Sequence, residues 1–241
     1  MPSLTVGVLA LQGGVGEHTG LLRKAAAHLG AEFDLVEVRT AEQLARCDAL
    51  IIPGGESTTM AIVARRLGLL EPLREFVKVD GKPVWGTCAG LVMLAEEASA
   101  TKKGGQELVG GLDVRVLRNR YGTQIQSFVA DIQLPFLGEA EKPFRGVFIR
   151  APVVDEIIIT PSVASQKTPE PVEVMGVFRK VGSTDVDGGS VEEDIVAVRQ
   201  RNVFGTSFHP ELTDDIRIHV WWLKQVLDTA RHKGLPVDSA V

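Results

Sequence analysis

Cysteine is scarce in this chain. Only Cys47 and Cys88 occur among 241 residues, so the sequence lacks the disulfide framework that stabilises small secreted domains. Lysine and arginine form no long basic cluster, and the formal net charge is −5. The electrostatic footprint of a nucleic-acid-binding protein is therefore missing. These absences exclude a disulfide-rich scaffold and a nucleic-acid partner.

Apolar runs of membrane-spanning length are also missing. The first apolar run, residues 4–11, is far shorter than the roughly 20 residues that a spanning helix needs. It has no basic flank and no cleavage-site pattern, so we interpret it as a first β-strand rather than a signal peptide. We expect a soluble, cytoplasmic protein of a reducing compartment, with no membrane partner.

Apolar segments of strand length alternate with helical segments over the first hundred residues. Such alternation predicts an α/β fold, in which helices flank a doubly wound, mostly parallel sheet. Ligands bind at the carboxyl ends of the strands in these sheets, where three glycine-bearing loops are expected at residues 12–14, 54–56 and 86–90. The predicted strands are 4–11, 33–38, 49–53 and 83–85, and the predicted helices are 16–29, 40–46, 57–67, 71–77 and 91–95, with Thr40 and either Ser57 or Thr58 as N-caps.

The second half of the chain changes to mostly alternating patterns, which predict additional antiparallel strands. We find no internal repeat and no linker, so residues 1–241 are expected to form a single domain with a flexible tail at 235–241. Two exposed loops are expected at 162–171 and 180–193. The predicted strands are 114–118, 124–134, 146–150, 156–159, 172–179, 195–199 and 203–208, and a last helix is predicted over 213–232.

Residues 86–90, Gly-Thr-Cys-Ala-Gly, have the spacing of a nucleophile elbow with cysteine as the nucleophile. A sharp strand-to-helix turn strains the central residue, and flanking glycines let the strand and the helix approach closely. The N-terminus of the helix supplies N–H groups that stabilise a thiolate and a developing oxyanion. The pattern therefore indicates a reactive Cys88, the alternative being a small buried cysteine in an ordinary turn.

A base for Cys88 is expected at His209, which follows a predicted strand and precedes Pro210. Proline keeps the preceding residue extended, and side chains at positions i and i+2 of an extended segment share a side. Glu211 can then orient the imidazole, completing a Cys–His–Glu arrangement. The alternative is a chance His-Pro-Glu turn. The other histidines, on the first and last helices, are interpreted as helix-surface or interface residues: His18, His28, His219 and His232.

The loop of Gly54, Gly55 and Glu56 also has two interpretations. It can simply end a strand and start a helix, or its backbone N–H groups can join that of Ala89 in binding a tetrahedral oxyanion. A phosphate-binding loop is excluded because no Gly-Lys-Ser/Thr follows.

Taken together, these motifs resemble the class I, triad-type glutamine amidotransferases. More narrowly, the chain is similar to the glutaminase subunit of the two-subunit pyridoxal 5′-phosphate synthase. The elbow and His-Pro-Glu are shared by the wider class, whereas the Gly-Gly-Glu-Ser-Thr-Thr and Phe-Ile-Arg-Ala-Pro stretches point to the subfamily. The matching stretches run in family order over nearly the whole chain, at residues 6–13, 53–60, 71–76, 86–91, 118–119, 124–128, 146–152 and 207–213.

The resemblance implies that the chain hydrolyses L-glutamine to glutamate and ammonia, without a cofactor or a metal. It implies Cys88 as nucleophile, His209 as acid and base, and Glu211 as the group that orients His209. It further implies an oxyanion site near Gly55 and Ala89, and a role for Gln12 near the catalytic centre and the partner surface. Ammonia would pass to a separate synthase subunit in a hetero-oligomer. The implied substrate contacts are Gly54, Gly55, Glu56, Arg118, Ile149 and Arg150, with Arg118 or Arg150 suited to clamp the α-carboxylate.

Three alternatives remain at this stage. The chain could serve another ammonia-dependent synthase, such as imidazole glycerol phosphate synthase, although the 54–59 loop argues against it. A cysteine hydrolase or chaperone-like protein of the same topology usually has a histidine directly after the nucleophile, where this chain has Ala89. An inactive regulatory subunit would not need Cys88, His209 and Glu211. Residues 120–123 and the two long loops at 162–171 and 180–193 depart from the family pattern. These departures bear on the expected partner interface more than on the expected chemistry.

Overall fold

One large mixed β-sheet organises the fold, which we describe from a computed structural model. The structure describes residues 3–99, 105–118, 127–138, 142–158, 170–180 and 192–235. The strands are β1 (Leu4–Leu9), β2 (Phe33–Val38), β3 (Ala49–Ile52), β4 (Val84–Thr87), β5 (Ala95–Ala98), β6 (Leu112–Leu117), β7 (Ser127–Ile132), β8 (Phe144–Ile149), β9 (Val153–Ile157), β10 (Glu173–Lys180), β11 (Glu192–Gln200) and β12 (Val203–Thr206). The helices are α1 (Val15–Leu29), α2 (Ala41–Ala45), α3 (Ser57–Arg66), α4 (Leu70–Lys78), α5 (Ala89–Leu94) and α6 (Arg217–His232).

The sheet runs in the order β2-β1-β3-β4-β12-β11-β9-β6-β5, with β10 paired to β11 off this path. Strands β2, β1, β3, β4 and β12 are parallel, and β5 is parallel to β6. Antiparallel pairing occurs where β11 meets β12, β9 and β10, and where β6 meets β9. The prediction of a mostly parallel, helix-flanked sheet with added antiparallel strands is confirmed.

Helices cover both faces of the parallel half of the sheet, which is why its central strands are continuous apolar runs. Strands β3, β4 and β12 are buried along their whole length. One core cluster joins the sheet to α2, α3, α4 and α5, and a second joins the opposite face to α1 and α6. The large side chains of Trp85 and Trp222 are buried in the second cluster.

Local sequence signals set several element boundaries. Strand β2 matches its predicted bounds, α1 ends at Gly30 in the left-handed conformation, and Thr40 caps α2 in a capping box. The cap predicted for α3 was wrong. Glu56 caps this helix, because its carboxylate accepts hydrogen bonds from the N–H groups of Thr58 and Thr59.

Three predicted boundaries in the rest of the chain are corrected. The apolar run after Cys88 forms only the short helix α5, and the chain then extends as β5. Strand β9 lies at Val153–Ile157, where it pairs with β6, so it begins earlier than the predicted 156–159 and ends before residue 158. Residue 159 lies outside the described residues. Helix α6 begins only at Arg217, after a separate 3-10 turn at Pro210–Leu212.

Strands β7 and β8 form a separate two-stranded antiparallel sheet. The His209 N–H donates to the Val147 carbonyl at 2.8 Å, so β8 is attached to the segment that follows β12. Residues 124–126 of the predicted strand, most of the two predicted loops and the tail at 236–241 lie outside the described residues. In the part of the chain that is described, no helix combines the length and the apolar character needed to cross a membrane.

Candidate active site

Cys88 occupies the turn between β4 and α5, as the elbow motif predicts. Its backbone has φ 50° and ψ −108°, a region that residues other than glycine rarely adopt. The Cys88 N–H donates to the Thr206 carbonyl of β12 at 2.8 Å, which ties the turn to the neighbouring strand. The strained turn is therefore held in place from outside the elbow.

The glycine after the nucleophile is required by close packing. A Cβ atom on Gly90 would lie 2.0 Å from the Ile52 carbonyl oxygen of β3, and one on Gly86 would lie 2.4 Å from the Gly90 backbone. Both distances are well below van der Waals contact. Only glycine at these two positions lets α5 begin directly against the sheet.

His209 comes to the same edge of the sheet because β12 pairs in parallel with β4. Its Nδ1 lies 2.7 Å from Glu211 Oε1, within hydrogen-bonding distance. The expected extended geometry was wrong: residues 210–212 form a 3-10 turn, and this turn brings the carboxylate back to the imidazole. Glu211 is almost completely buried behind His209.

The ionisation of this pair follows from its surroundings. Burial alone would lower the pKa of His209, but its interactions with Cys88 and Glu211 raise that pKa to about 10. Burial alone would raise the pKa of Glu211, yet the hydrogen bond from His209 keeps it below its usual value. A protonated imidazole thus lies between a carboxylate and the cysteine at neutral pH.

A cavity of about 510 Å³ opens above Cys88. Its wall combines glycine-loop backbone, two arginines and the apolar side chains of Val92 and Pro152. The Cys88 thiol faces the Ile149 carbonyl at 3.9 Å, which places the end of β8 over the nucleophile. Every site residue predicted from the sequence lines this cavity except Glu211: Gln12, Gly54, Gly55, Glu56, Cys88, Ala89, Arg118, Ile149, Arg150 and His209.

The two backbone donors predicted for an oxyanion belong to different loops. Ala89 is the first residue of α5, so its N–H is one of the donors without an intrahelical partner. Gly55 follows β3 and has φ 150°. Gln12 supports this second loop, because its side-chain oxygen accepts a hydrogen bond from the Glu56 N–H at 2.7 Å.

Arg118 and Arg150 differ in their contacts. Arg118 donates from Nη2 to Glu56 Oε1 at 3.1 Å and from Nη1 to Gln106 Oε1 at 2.9 Å. Hydrogen bonds from Thr59 and Thr58 outweigh burial and lower the pKa of Glu56 to about 2. Arg150 is exposed, has φ 45° and forms no ion pair with any described residue.

Three site-region residues were missed by the sequence analysis. His18 and His219 are fully buried and contact each other behind Glu211. Of the two interpretations, helix surface or interface, the first was wrong, because both residues lie where α1 packs against α6. Gln106 holds Arg118 as well as Ser57 and Thr58. The helical spacing of the two histidines could have indicated their burial. His18 lies on the same buried stripe of α1 as Leu22 and Ala25, and His219 lies on the same buried stripe of α6 as Leu223 and Val226.

Among the described residues, no cluster of three or more histidine, cysteine or acidic side chains could hold a metal ion.

Solved structures place this fold among the glutamine amidotransferases. A crystal structure described as a glutamine amidotransferase has a TM-score of 0.67 and 37% identity, and the match covers 92% of this chain and 98% of that one. A glutamine amidotransferase from Thermotoga maritima has a TM-score of 0.50 at 15% identity, over 98% of this chain and 87% of that one. The second likeness supports the fold alone.

More narrowly, the chain belongs to the SNO glutamine amidotransferase family, which matches residues 8–228. It is 50% identical to a probable pyridoxal 5′-phosphate synthase subunit PDX2 of Arabidopsis thaliana, over 92% of this chain and 85% of the relative. It is 43% identical to the pyridoxal 5′-phosphate synthase subunit PdxT of Pyrococcus furiosus, over 92% of this chain and 98% of the relative. The resemblance noted from the motifs is confirmed.

Proposed function

We propose that this chain is a glutaminase that hydrolyses L-glutamine and supplies ammonia to a pyridoxal 5′-phosphate synthase subunit. The observation that carries the proposal is the convergence of Cys88, His209 and Glu211 at one cavity, in a chain of the SNO family. The names of the Arabidopsis and Pyrococcus relatives supply the pathway.

The reaction begins at Cys88. With the proton already on His209, the Cys88 sulfur attacks the side-chain carbonyl carbon of glutamine to form a tetrahedral oxyanion. The N–H groups of Gly55 and Ala89 bind that oxyanion. As the intermediate collapses, the carbon–nitrogen bond breaks, and the leaving nitrogen takes the proton from His209 to depart as ammonia.

The second half of the reaction releases glutamate. His209, now neutral, removes a proton from water, which attacks the thioester carbonyl carbon. The carbon–sulfur bond breaks, and the proton that His209 took from water stays on the imidazole beside the Cys88 sulfur. Glu211 stabilises the imidazolium in both halves, because its carboxylate stays ionised beside His209.

Substrate recognition is assigned to the cavity wall. Gly54, Gly55, Glu56, Arg118, Ile149 and Arg150 contact glutamine, and an arginine binds its α-carboxylate. Arg150 has no ion-pair partner among the described residues, whereas Arg118 already contacts Glu56. Gln12 couples the β1–α1 loop to the Glu56 amide, at the mouth where a synthase subunit would dock in a hetero-oligomer. The single domain over residues 1–241, its tail and the cytoplasmic location stay predictions.

The deciding experiment measures glutamate release from glutamine by the full chain, alone and with a synthase subunit. Wild type is compared with Cys88→Ala, and Cys47→Ala serves as the matched control, because Cys47 is buried outside the cavity. We expect release that requires Cys88, ignores Cys47 and increases when the synthase subunit is added.

Other outcomes select the alternatives. Release that depends on Cys88 but does not respond to this synthase would keep the glutaminase and assign it another acceptor enzyme. No release in either condition, together with no thioester on Cys88, would support an inactive regulatory subunit.

A further inference from the structure

Two histidines lie directly behind the proposed catalytic residues. His18 of α1 and His219 of α6 are fully buried, and neither lines the cavity above Cys88. His18 Nδ1 lies 3.1 Å from His219 Nε2. On its other side, His18 Nε2 lies 3.3 Å from Thr87 Oγ1 and 3.4 Å from Glu211 Oε2. His18 and His219 therefore extend into the core the row of neighbouring side chains that begins at Cys88 and includes His209 and Glu211.

Glu211 needs a donor on its inner side. Oε1 faces His209 at 2.7 Å, whereas Oε2 is buried and has no hydrogen bond of ordinary geometry among the described residues. Its nearest nitrogen there is His18 Nε2. A buried carboxylate oxygen without a donor is costly, so an N–H at this nitrogen is strongly favoured over a lone pair.

This requirement selects one tautomer for each imidazole. Burial lowers the pKa of both His18 and His219 to about 3, so the rings are neutral and each carries one N–H. With its proton on Nε2, His18 faces Glu211 and Thr87 as a donor, and its Nδ1 accepts from His219 Nε2–H. His219 Nδ1 then holds only a lone pair, consistent with the lack of a partner for it among the described residues.

The opposite arrangement is unfavourable at both ends. If His18 carried its proton on Nδ1, its Nε2 lone pair would face the Glu211 carboxylate. His219 would then carry its proton on Nδ1, leaving a buried N–H group without an acceptor in the described structure. Both penalties disappear in the first arrangement.

We propose that His18 is a positioning residue that holds the Glu211 carboxylate toward His209, and that His219 fixes the tautomer in which His18 can do so. This rests on the proposed glutaminase function. His18 touches neither substrate nor the cavity. Its effect reaches the reaction through Glu211 and the orientation of the His209 ring.

The kinetic test uses the full chain with its synthase subunit. His18→Leu removes the donor, His18→Gln retains an amide N–H that can reach Glu211, and His28→Leu is the control on the exposed side of the same helix. We expect His18→Leu to lower kcat roughly ten- to a hundredfold, the worth of one hydrogen bond to a charged group, with KM for glutamine nearly unchanged. His18→Gln should recover most of kcat. Wild-type kcat in folded His18→Leu, or equal losses in both His18 variants, would overturn the proposal.

A second measurement needs no variant. Nitrogen-15 NMR of histidine-labelled wild type reports the protonated nitrogen of each ring, and we expect Nε2–H on both His18 and His219. A proton on His18 Nδ1 would overturn the proposal even if His18→Leu failed to fold. The two failures are distinguishable: absence of glutaminase activity in the wild type would end the functional proposal, whereas the tautomers are read independently of activity.

Discussion

Glu56 accepts a hydrogen bond from Arg118 at 3.1 Å, although the two residues come from different loops of the sheet edge. The same Glu56 carboxylate caps α3 through Thr58 and Thr59. One side chain therefore fixes the start of a helix and the position of a guanidinium at the cavity wall. Gln106 holds the other side of that guanidinium.

We expect Arg118→Ala to raise the apparent KM for glutamine by about tenfold or more, with a smaller change in kcat. The physical reason is the loss of a charged donor group from the cavity wall, where one charge-assisted hydrogen bond is worth roughly 1.5–3 kcal/mol. Steady-state kinetics on the synthase complex provide the measurement. Arg115→Ala is the matched control, since Arg115 contacts Glu97 and Glu156 outside the cavity. An unchanged KM in Arg118→Ala would remove this residue from the substrate site.

Gly54→Ala should lower kcat strongly without unfolding the protein. The added methyl group would lie 2.5 Å from His209 Cε1, so the imidazole must move away from its position beside Cys88. Displacement of a catalytic group by about 1 Å can cost about a hundredfold in rate. Gly20→Ala is the control, because its methyl group meets nothing within 4 Å and lies in helix α1. That variant should keep full activity and gain about 0.5–1 kcal/mol in the free energy of unfolding. Equal activity in the two variants would contradict the proposed packing.

Thiol reagents should modify Cys88 and leave Cys47 intact in the folded protein. Cys88 borders the cavity beside a protonated His209, whereas burial raises the pKa of Cys47 to about 11. Mass spectrometry after treatment with iodoacetamide at pH 7 should find one adduct per chain and a parallel loss of glutaminase activity. Cys47→Ser should remain fully sensitive, since a hydroxyl can still donate to the Gln43 carbonyl. Retained activity after complete labelling of Cys88 would exclude it as the nucleophile.

His209 should make the free energy of unfolding depend on pH above neutrality. Its pKa is about 10 in the folded protein, against an ordinary value of 6.5. The folded state therefore binds a proton that the unfolded state has lost between these two values, so this contribution is complete below about pH 6.5 and disappears as the pH rises through about 10. Urea unfolding of wild type and His209→Gln should show a stability difference that shrinks over this window. His28→Gln should follow the wild-type curve, and a difference that grew with pH would contradict the assigned protonation.

Much of the fold and site could be predicted from local sequence. The alternation of apolar and helical segments indicated the parallel sheet, Gly30 and Thr40 marked helix ends, and the 86–90 motif located the turn at Cys88. These features depend on backbone sterics and on hydrogen bonds between residues close in sequence, so the local amino-acid sequence is sufficient to determine them. The resemblance to the family then named the residues around the cavity.

Tertiary structure decided which distant segments meet. Strand β12 inserts beside β4, and only this pairing brings His209 to Cys88. His18 and His219 become a buried pair because α1 and α6 pack on the same face of the sheet. Contacts of this kind depend on strand order and on which helix faces meet, which local periodicity does not specify. The sequence determined the reactive groups, and the packing of the sheet and its helices determined their partners.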